Sequence, residues 1–211
     1  MFVLTVDQEG SRTRGDQVDD LLTRLRARTD LDVGAPGVAA AFERTVGDEV
    51  QCVLSDAGLA LDVALAILRW GGWTIGIGAG PVHEPLPASS RAGSGLAFVL
   101  ARDAVTQAKS RLRPVPLVVR GTNAGCAQDA EALLVLLGTL VRRRTAAGWQ
   151  AVDASRSAGE HRQEDVARAL GVTQQAVSQR LRSALWSEEL AARPLAVRLL
   201  DAAAGGPDPC A

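Results

Sequence analysis

Lysine, histidine and cysteine are nearly missing from this 211-residue chain, and each scarcity closes off a class of function. Two histidines, His83 and His161, cannot build a zinc cluster with the widely spaced Cys52, Cys126 and Cys210. An odd number of scattered cysteines also argues against a disulfide framework, so a reduced, cytoplasmic protein is expected. Basic residues number 23 against 24 acidic ones, a formal net charge of -1, which excludes a globally basic coat for nucleic acid. A local DNA-reading surface stays open. Charges interrupt every apolar stretch before the ~18 residues a membrane span needs. Met1 to Asp7 shows no basic leader followed by an apolar segment, so neither a membrane partner nor secretion is expected. Lys109 is the single lysine; with the abundance of alanine, this arginine bias reads as a GC-rich coding sequence without functional weight.

What is present is an ordinary globular balance, 47% hydrophobic and 22% charged, on enough chain for one large domain or two small ones. Phe2 to Val6 is an apolar run ending at Asp7 and predicts a buried strand. Val18, Leu21, Leu22 and Leu25 fall at helical spacing between Asp16 and Arg28. Two β-prone runs, Val38 to Val46 and Val50 to Leu54, are joined by Gly47-Asp48-Glu49, a hairpin signal. Ser55 reads as the N-cap of a helix through Leu59, Val63, Ile67 and Leu68. Trp73 to Val82 reads as a central strand whose glycines admit a close neighbour. A proline-, serine- and glycine-rich loop comes next, then a helix over Leu96 to Arg111 and a strand over Pro116 to Arg120. The order β-α-β-β-α-β-α-β predicts an α+β class with a ferredoxin-like, palm-type N-terminal domain over 1–122. Ala127 to Arg144, ending in three arginines, reads as a connector and dimer helix within 123–146. Residues 147–204 read as all helix, with segments at Trp149 to Ser157, Glu164 to Leu170, Thr173 to Trp186 and Leu190 to Ala203. The tail 205–211 is expected to be disordered.

Gln163 to Arg182 carries the sharpest pattern. Val166, Ala167 and Leu170 make the apolar stripe of a short helix, and Ala167 is small enough for a second helix to cross it closely. Gly171 stands where the chain must turn, Thr173 can cap the second helix, and Val177 with Leu181 returns its apolar side to the first. That leaves Gln174, Gln175, Ser178, Gln179, Arg180 and Arg182 outward, beside Thr173. Gln and Arg can bond base edges, while Ser and Arg can hold phosphates. The pattern over 148–203 resembles the helix-turn-helix of bacterial regulators and sigma-factor-type domains, which implies a double-stranded DNA partner. Glu160, Glu164, Asp165, Glu188 and Glu189 weaken the attraction to DNA, so a homodimer is expected.

Asp7 closes the first strand, and Asp48 and Glu49 sit on the adjacent hairpin. Converging carboxylates need a cation or a raised pKa, although an aspartate in a tight turn is also explained by turn geometry alone. Val6-Asp7 with Ser11-Arg12, Val46 to Gln51, Ile75-Gly76-Ile77-Gly78 and Gly93 to Arg102 together resemble the SatD family over roughly 1–120. That family is similar to the catalytic domains of class III nucleotide cyclases and of GGDEF proteins. The resemblance implies metal binding at Asp7, Asp48 and Glu49, a ligand held by Ser11, Arg12 and Arg102, and Mg²⁺ accompanying a nucleotide, with no cofactor required. Phe98 stands where the cyclases carry asparagine, and Gln8-Glu9 replaces a phosphate-binding turn, which points to sensing over turnover. The expected function is a dimeric DNA-binding transcriptional regulator with a degenerate cyclase-like domain. The alternative is a Mg²⁺-dependent nucleotidyl cyclase or related phosphotransfer enzyme targeted to DNA.

Overall fold

A strand that is apolar on both faces must be covered on both, and β1 (Phe2–Gln8) is such a strand: only Asp7 in it is less than fully buried. In this computed structural model, which describes residues 1–110, 112–158 and 163–207, β1 is the middle of a five-stranded sheet. The expectations placed on Glu160, His161, Cys210 and the end of the tail lie outside the described residues.

The chain leaves β1 through a four-residue turn of helix, α1 (Ser11–Arg14), and then α2 (Val18–Arg26), whose Val18, Leu21, Leu22 and Leu25 are buried as their spacing predicts. A hairpin comes next, β2 (Val38–Arg44) and β3 (Glu49–Leu54), then α3 (Ala57–Trp70) and β4 (Trp73–Ala79). The cap of α3 is Asp56, not Ser55: its Oδ1 accepts from the Leu59 amide at 2.6 Å, while the Ser55 amide is spent on the Gly37 carbonyl. α4 (Leu96–Ala108) and β5 (Leu117–Gly121) complete the sheet. Strand order is β2-β3-β1-β4-β5; β1 is antiparallel to β3 and β4, and only β5 runs parallel to its neighbour. The class is therefore α+β with a mixed sheet.

Alternation along β1 sorts the two faces. Phe2, Leu4 and Val6 enter the main core with Cys52, Ile75, Ile77 and Leu117, against α2, α3, α5 (Ala124–Arg143) and the second half of α9 (Trp186–Ala203). Cys52, on the apolar strand β3, is a fully buried core thiol, and burial pushes its pKa well up. Trp73 is buried and Trp70 packs against the same core, as packing residues should. Val3, Thr5 and Asp7 point to the other face, where α4 lies. Gly76 and Gly78 are the reason it lies so close. A Cβ on Gly78 would stand 2.0 Å from the Ala97 carbonyl oxygen, and one on Gly76 would stand 2.3 Å from the Val105 nitrogen. These glycines admit a helix and leave no room for a phosphate.

α5 is the one described helix long and apolar enough, by length and composition, to cross a membrane. Here Cys126, Ala127, Ala130, Leu134, Leu137 and Val141 pack into the main core. Glu131 near its middle accepts from Arg113 at 2.7 Å and Arg120 at 2.8 Å.

Beyond α5 come α6 (Ala146–Ala158), α7 (Gln163–Leu170) and α8 (Gln174–Ser183). The helix expected to continue to Trp186 stops at Ser183, and Leu185 at φ 51 turns the chain into α9. α9 starts beside α8 and ends on the sheet, where Ala203 lies so near Gly121 that a Cβ there would meet its carbonyl at 2.4 Å. The first tail residues still bond into its end, with the Gly206 amide donating to the Asp201 carbonyl at 2.9 Å.

Ion pairs tie the C-terminal helices to α3. Arg69 meets Asp153 of α6 at 2.6 Å, and Arg193 of α9 pairs with Asp62. Arg144, at the end of α5, donates to Glu189 of α9 at 2.7 Å with both side chains buried. The guanidinium groups of Arg69 and Arg144 lie 3.7 and 4.4 Å from the Trp149 ring centroid, close enough for cation–π attraction.

Candidate functional site

The α7–α8 pair is built as its sequence requires. Gly171 takes φ +63 and the Val172 amide returns to the Ala167 carbonyl at 3.0 Å, closing α7 with the left-handed turn that only glycine makes cheaply. Two residues on, the Thr173 hydroxyl accepts from the Ala176 amide at 3.2 Å and opens α8. Val177 is fully buried against Val166 and Ala167, with Ala154 of α6, Leu170 and Leu181 around them. The polar remainder faces outward. Thr173, Gln174, Gln175, Gln179 and Arg182 are exposed, and Ser178 and Arg180 are half-exposed. At 100° per residue Gln174, Gln175, Ser178, Gln179 and Arg182 share one face of a capped helix, with Arg180 on its opposite flank, and among the described contacts the Thr173 hydroxyl is the one that is spent on the fold. The acidic surroundings are milder than the sequence implies: Glu189 is buried beneath Arg144, and Asp165 is paired with Arg168 at 2.7 Å.

The second cluster lies at the end of β1. Register sets Asp7 opposite Glu49 on β3 and Thr74 on β4, and the Gln8 amide donates to the Asp48 carbonyl at 3.2 Å. Asp7, Asp48 and Glu49 are thus brought together. Burial, the largest influence, raises the Asp7 pKa; the Lys109 hydrogen bond and charge oppose it, and Asp48 and Glu49 add to the rise. Lys109 Nζ stands 3.0 Å from Asp7 Oδ1, so the lone lysine, which composition alone gives no weight, is the counter-charge of this cluster. Glu49 Oε1 accepts from the Thr45 hydroxyl at 2.6 Å.

A cleft of about 470 Å³ opens beside Asp7, lined also by Glu9, Gly10, Lys109, Arg113 and Arg142. Ser11 and Arg12 begin α1 just past its edge, and Arg102 is exposed on α4 two turns before Lys109, outside the lining. The arginine implied by the cyclase resemblance is therefore not beside these carboxylates. Gln8 has a role that no spacing or motif marks. It is buried, donates to the Gly15 carbonyl at 2.6 Å and accepts from the Gln17 amide at 2.8 Å, pinning the loop between α1 and α2.

A Mg²⁺ site needs oxygen ligands free of competing cations. Among the described residues no group of three or more His, Cys, Asp and Glu is placed to hold a metal ion. The Asp7 charge is met by Lys109, so the residues present do not form a prepared metal cage. His83 is exposed, with Nδ1 3.1 Å from the Ser94 hydroxyl.

Comparison with protein-family models, with curated proteins and with solved structures finds no match for this chain.

Proposed function

We propose that the protein is a transcriptional regulator that binds double-stranded DNA through α8, as a homodimer. The observation that carries this reading is the polar face of Gln174, Gln175, Ser178, Gln179 and Arg182, flanked by the half-exposed Arg180, on a helix capped by Thr173 and seated on α7 through Val177. A polar helix face held by an apolar underside and a glycine turn is the geometry of a helix-turn-helix reader. The amide and guanidinium groups it offers match the major-groove edges of adenine and guanine. One short helix covers too few bases for specificity, which is why a pair of readers is part of the proposal. Leu136, 65% exposed on the outer side of α5, offers an apolar contact for the second copy.

The N-terminal domain is proposed to be palm-type, related to the SatD family and the nucleotide cyclases. The strand order β2-β3-β1-β4 within the larger sheet is the split β-α-β arrangement of ferredoxin-like domains. A phosphate-bearing nucleotide at the Asp7 cleft, with Mg²⁺, fits this reading only if it displaces Lys109 from Asp7.

The test is selection of duplexes from a random pool, then gel-shift titration of the wild type, Gln175→Ala and Arg180→Ala. Each base-edge contact is worth about 1–3 kcal/mol, so each variant is expected to lose about tenfold or more in specific affinity with folding unchanged. Equal affinity in all three proteins refutes α8 as the reader.

A further inference from the structure

Among the described residues, the ion pairs around the seam that joins α3 to α6 and α9 hold more guanidinium than carboxylate. In its ion pairs, Arg28, Arg69, Arg144, Arg156 and Arg193 meet only Asp30, Asp62, Asp153 and Glu189. Arg28 keeps Asp30 and Arg69 keeps Asp153, each through two hydrogen bonds. Arg144, Arg156 and Arg193 are left to share Asp62 and Glu189. Arg156 fares worst: its contact to Glu189 Oε1 is 3.3 Å, against 2.8 Å for Arg193 on the same oxygen, and its side chain is 43% exposed. Burial and then the like charge of Arg193 lower its pKa, against the opposing charges of Glu189, Asp62 and Asp153.

A cleft of about 380 Å³ opens at that guanidinium. Arg28 and Arg193 stand at its sides, with Asp62 already tied to Arg193, and Ala66, Leu190 and Trp186 supply an apolar floor. The Arg156 guanidinium lies 4.8 Å from the Trp186 ring centroid, which holds it in place at the edge of the floor.

We propose that this cleft binds a small oxyanion, a phosphate or carboxylate group carried on an apolar body, with Arg156 as its principal ligand. The planar guanidinium fork matches either group, and an added negative charge offsets the surplus guanidinium of the described residues. The apolar body lies on Leu190, Ala66 and Trp186. The site stands on these residues alone and holds whether or not α8 reads DNA.

The experiment is calorimetric titration of the full chain, in chloride buffer, with phenyl phosphate, benzoate and inorganic phosphate. Saturable binding of phenyl phosphate or benzoate is expected, with inorganic phosphate at least tenfold weaker; the stronger of the two ring-bearing anions names the oxyanion. Arg156→Gln is expected to weaken that binding at least tenfold. Its unfolding temperature without ligand is expected to be unchanged or higher, because the seam loses its surplus charge. No saturable binding by either ring-bearing anion overturns the proposal. So does equal affinity in wild type and Arg156→Gln, or inorganic phosphate binding as tightly as phenyl phosphate. Should Arg156→Gln fail to fold, Arg28→Gln decides: weakened binding supports the site and unchanged affinity overturns it.

Discussion

Arg144 and Glu189, from the end of α5 and the first turn of α9, make a 2.7 Å ion pair with side chains 0% and 1% exposed. The Ala184 carbonyl also accepts from Arg144 at 2.9 Å, while Nη1 of the same guanidinium is buried without a partner. Among the described residues Glu189 is therefore the one carboxylate paired with this fully desolvated cation. Glu189→Gln should lower stability by about 3–5 kcal/mol, because the remaining charge stays buried. Arg168→Ala, which breaks the exposed pair with Asp165, should cost under about 1 kcal/mol. Urea unfolding monitored by circular dichroism measures both; equal midpoints for the two variants contradict the assignment.

Gly78→Ala tests the contact between α4 and the sheet. The new methyl would fall 2.0 Å from the Ala97 carbonyl and 2.4 Å from the Ala101 nitrogen, both rigid backbone. Overpacking of this kind costs about 1–3 kcal/mol or more. Gly47→Ala, at an open hairpin position, meets no atom within 4 Å and is strained only by its φ of +64, so it should be the milder change. Thermal unfolding of the pair gives the ranking, and a reversed order counts against the close packing.

Asp7 sets a pH dependence. A carboxyl whose folded pKa is raised holds its proton more tightly folded than unfolded, so stability falls as pH climbs from the unfolded value through the raised one. Asp7→Asn lacks that loss. Relative to wild type, the variant should gain stability as pH climbs from the ordinary carboxylate range through the raised value, as read from denaturant midpoints across the range. A difference that stays flat or moves the other way rejects the buried, crowded environment of this carboxyl.

Lys109→Ala asks whether the lysine stands in for a metal. With the ammonium gone, Asp7, Asp48 and Glu49 keep their positions and lose their counter-charge. Mn²⁺ titration monitored by electron paramagnetic resonance should show tighter binding to the variant than to wild type. Identical, weak binding by both would mean that the three carboxylates do not converge on a common ion.

Thr173→Ala removes the cap of α8 and should cost about 1 kcal/mol by the same unfolding measurement. A loss near zero would mean that the hydroxyl is bonded to water instead.

Much of the fold is legible in one dimension where the cause is local. β1, α2 and the α7–α8 pair come from a short apolar run, from 3.6-residue spacing, and from a glycine and a threonine at fixed offsets; each of those signals acts within a few residues. The cap at Asp56 is displaced by one position from its expected place because Ser55 and Asp56 are both good caps, and only the strand pairing of Ser55 decides between them. The break at Leu185 has no local marker, since leucine is a helix former and its left-handed φ is imposed by packing. Lys109 against Asp7, Arg144 against Glu189 and Ala203 against Gly121 join residues far apart in sequence. Nothing in composition or spacing announces them.

α9 begins among the C-terminal helices at Trp186 and finishes at Ala203 inside the main core, with Pro194 in between depriving the Leu190 carbonyl of its usual helical donor. A chimera that transplants α6 to α8 onto another protein would leave Glu189 behind, and one that also took α9 would uncover the sheet. If α8 is the reader proposed above, any engineered exchange of its specificity has to proceed by rewriting the surface of α8 in place.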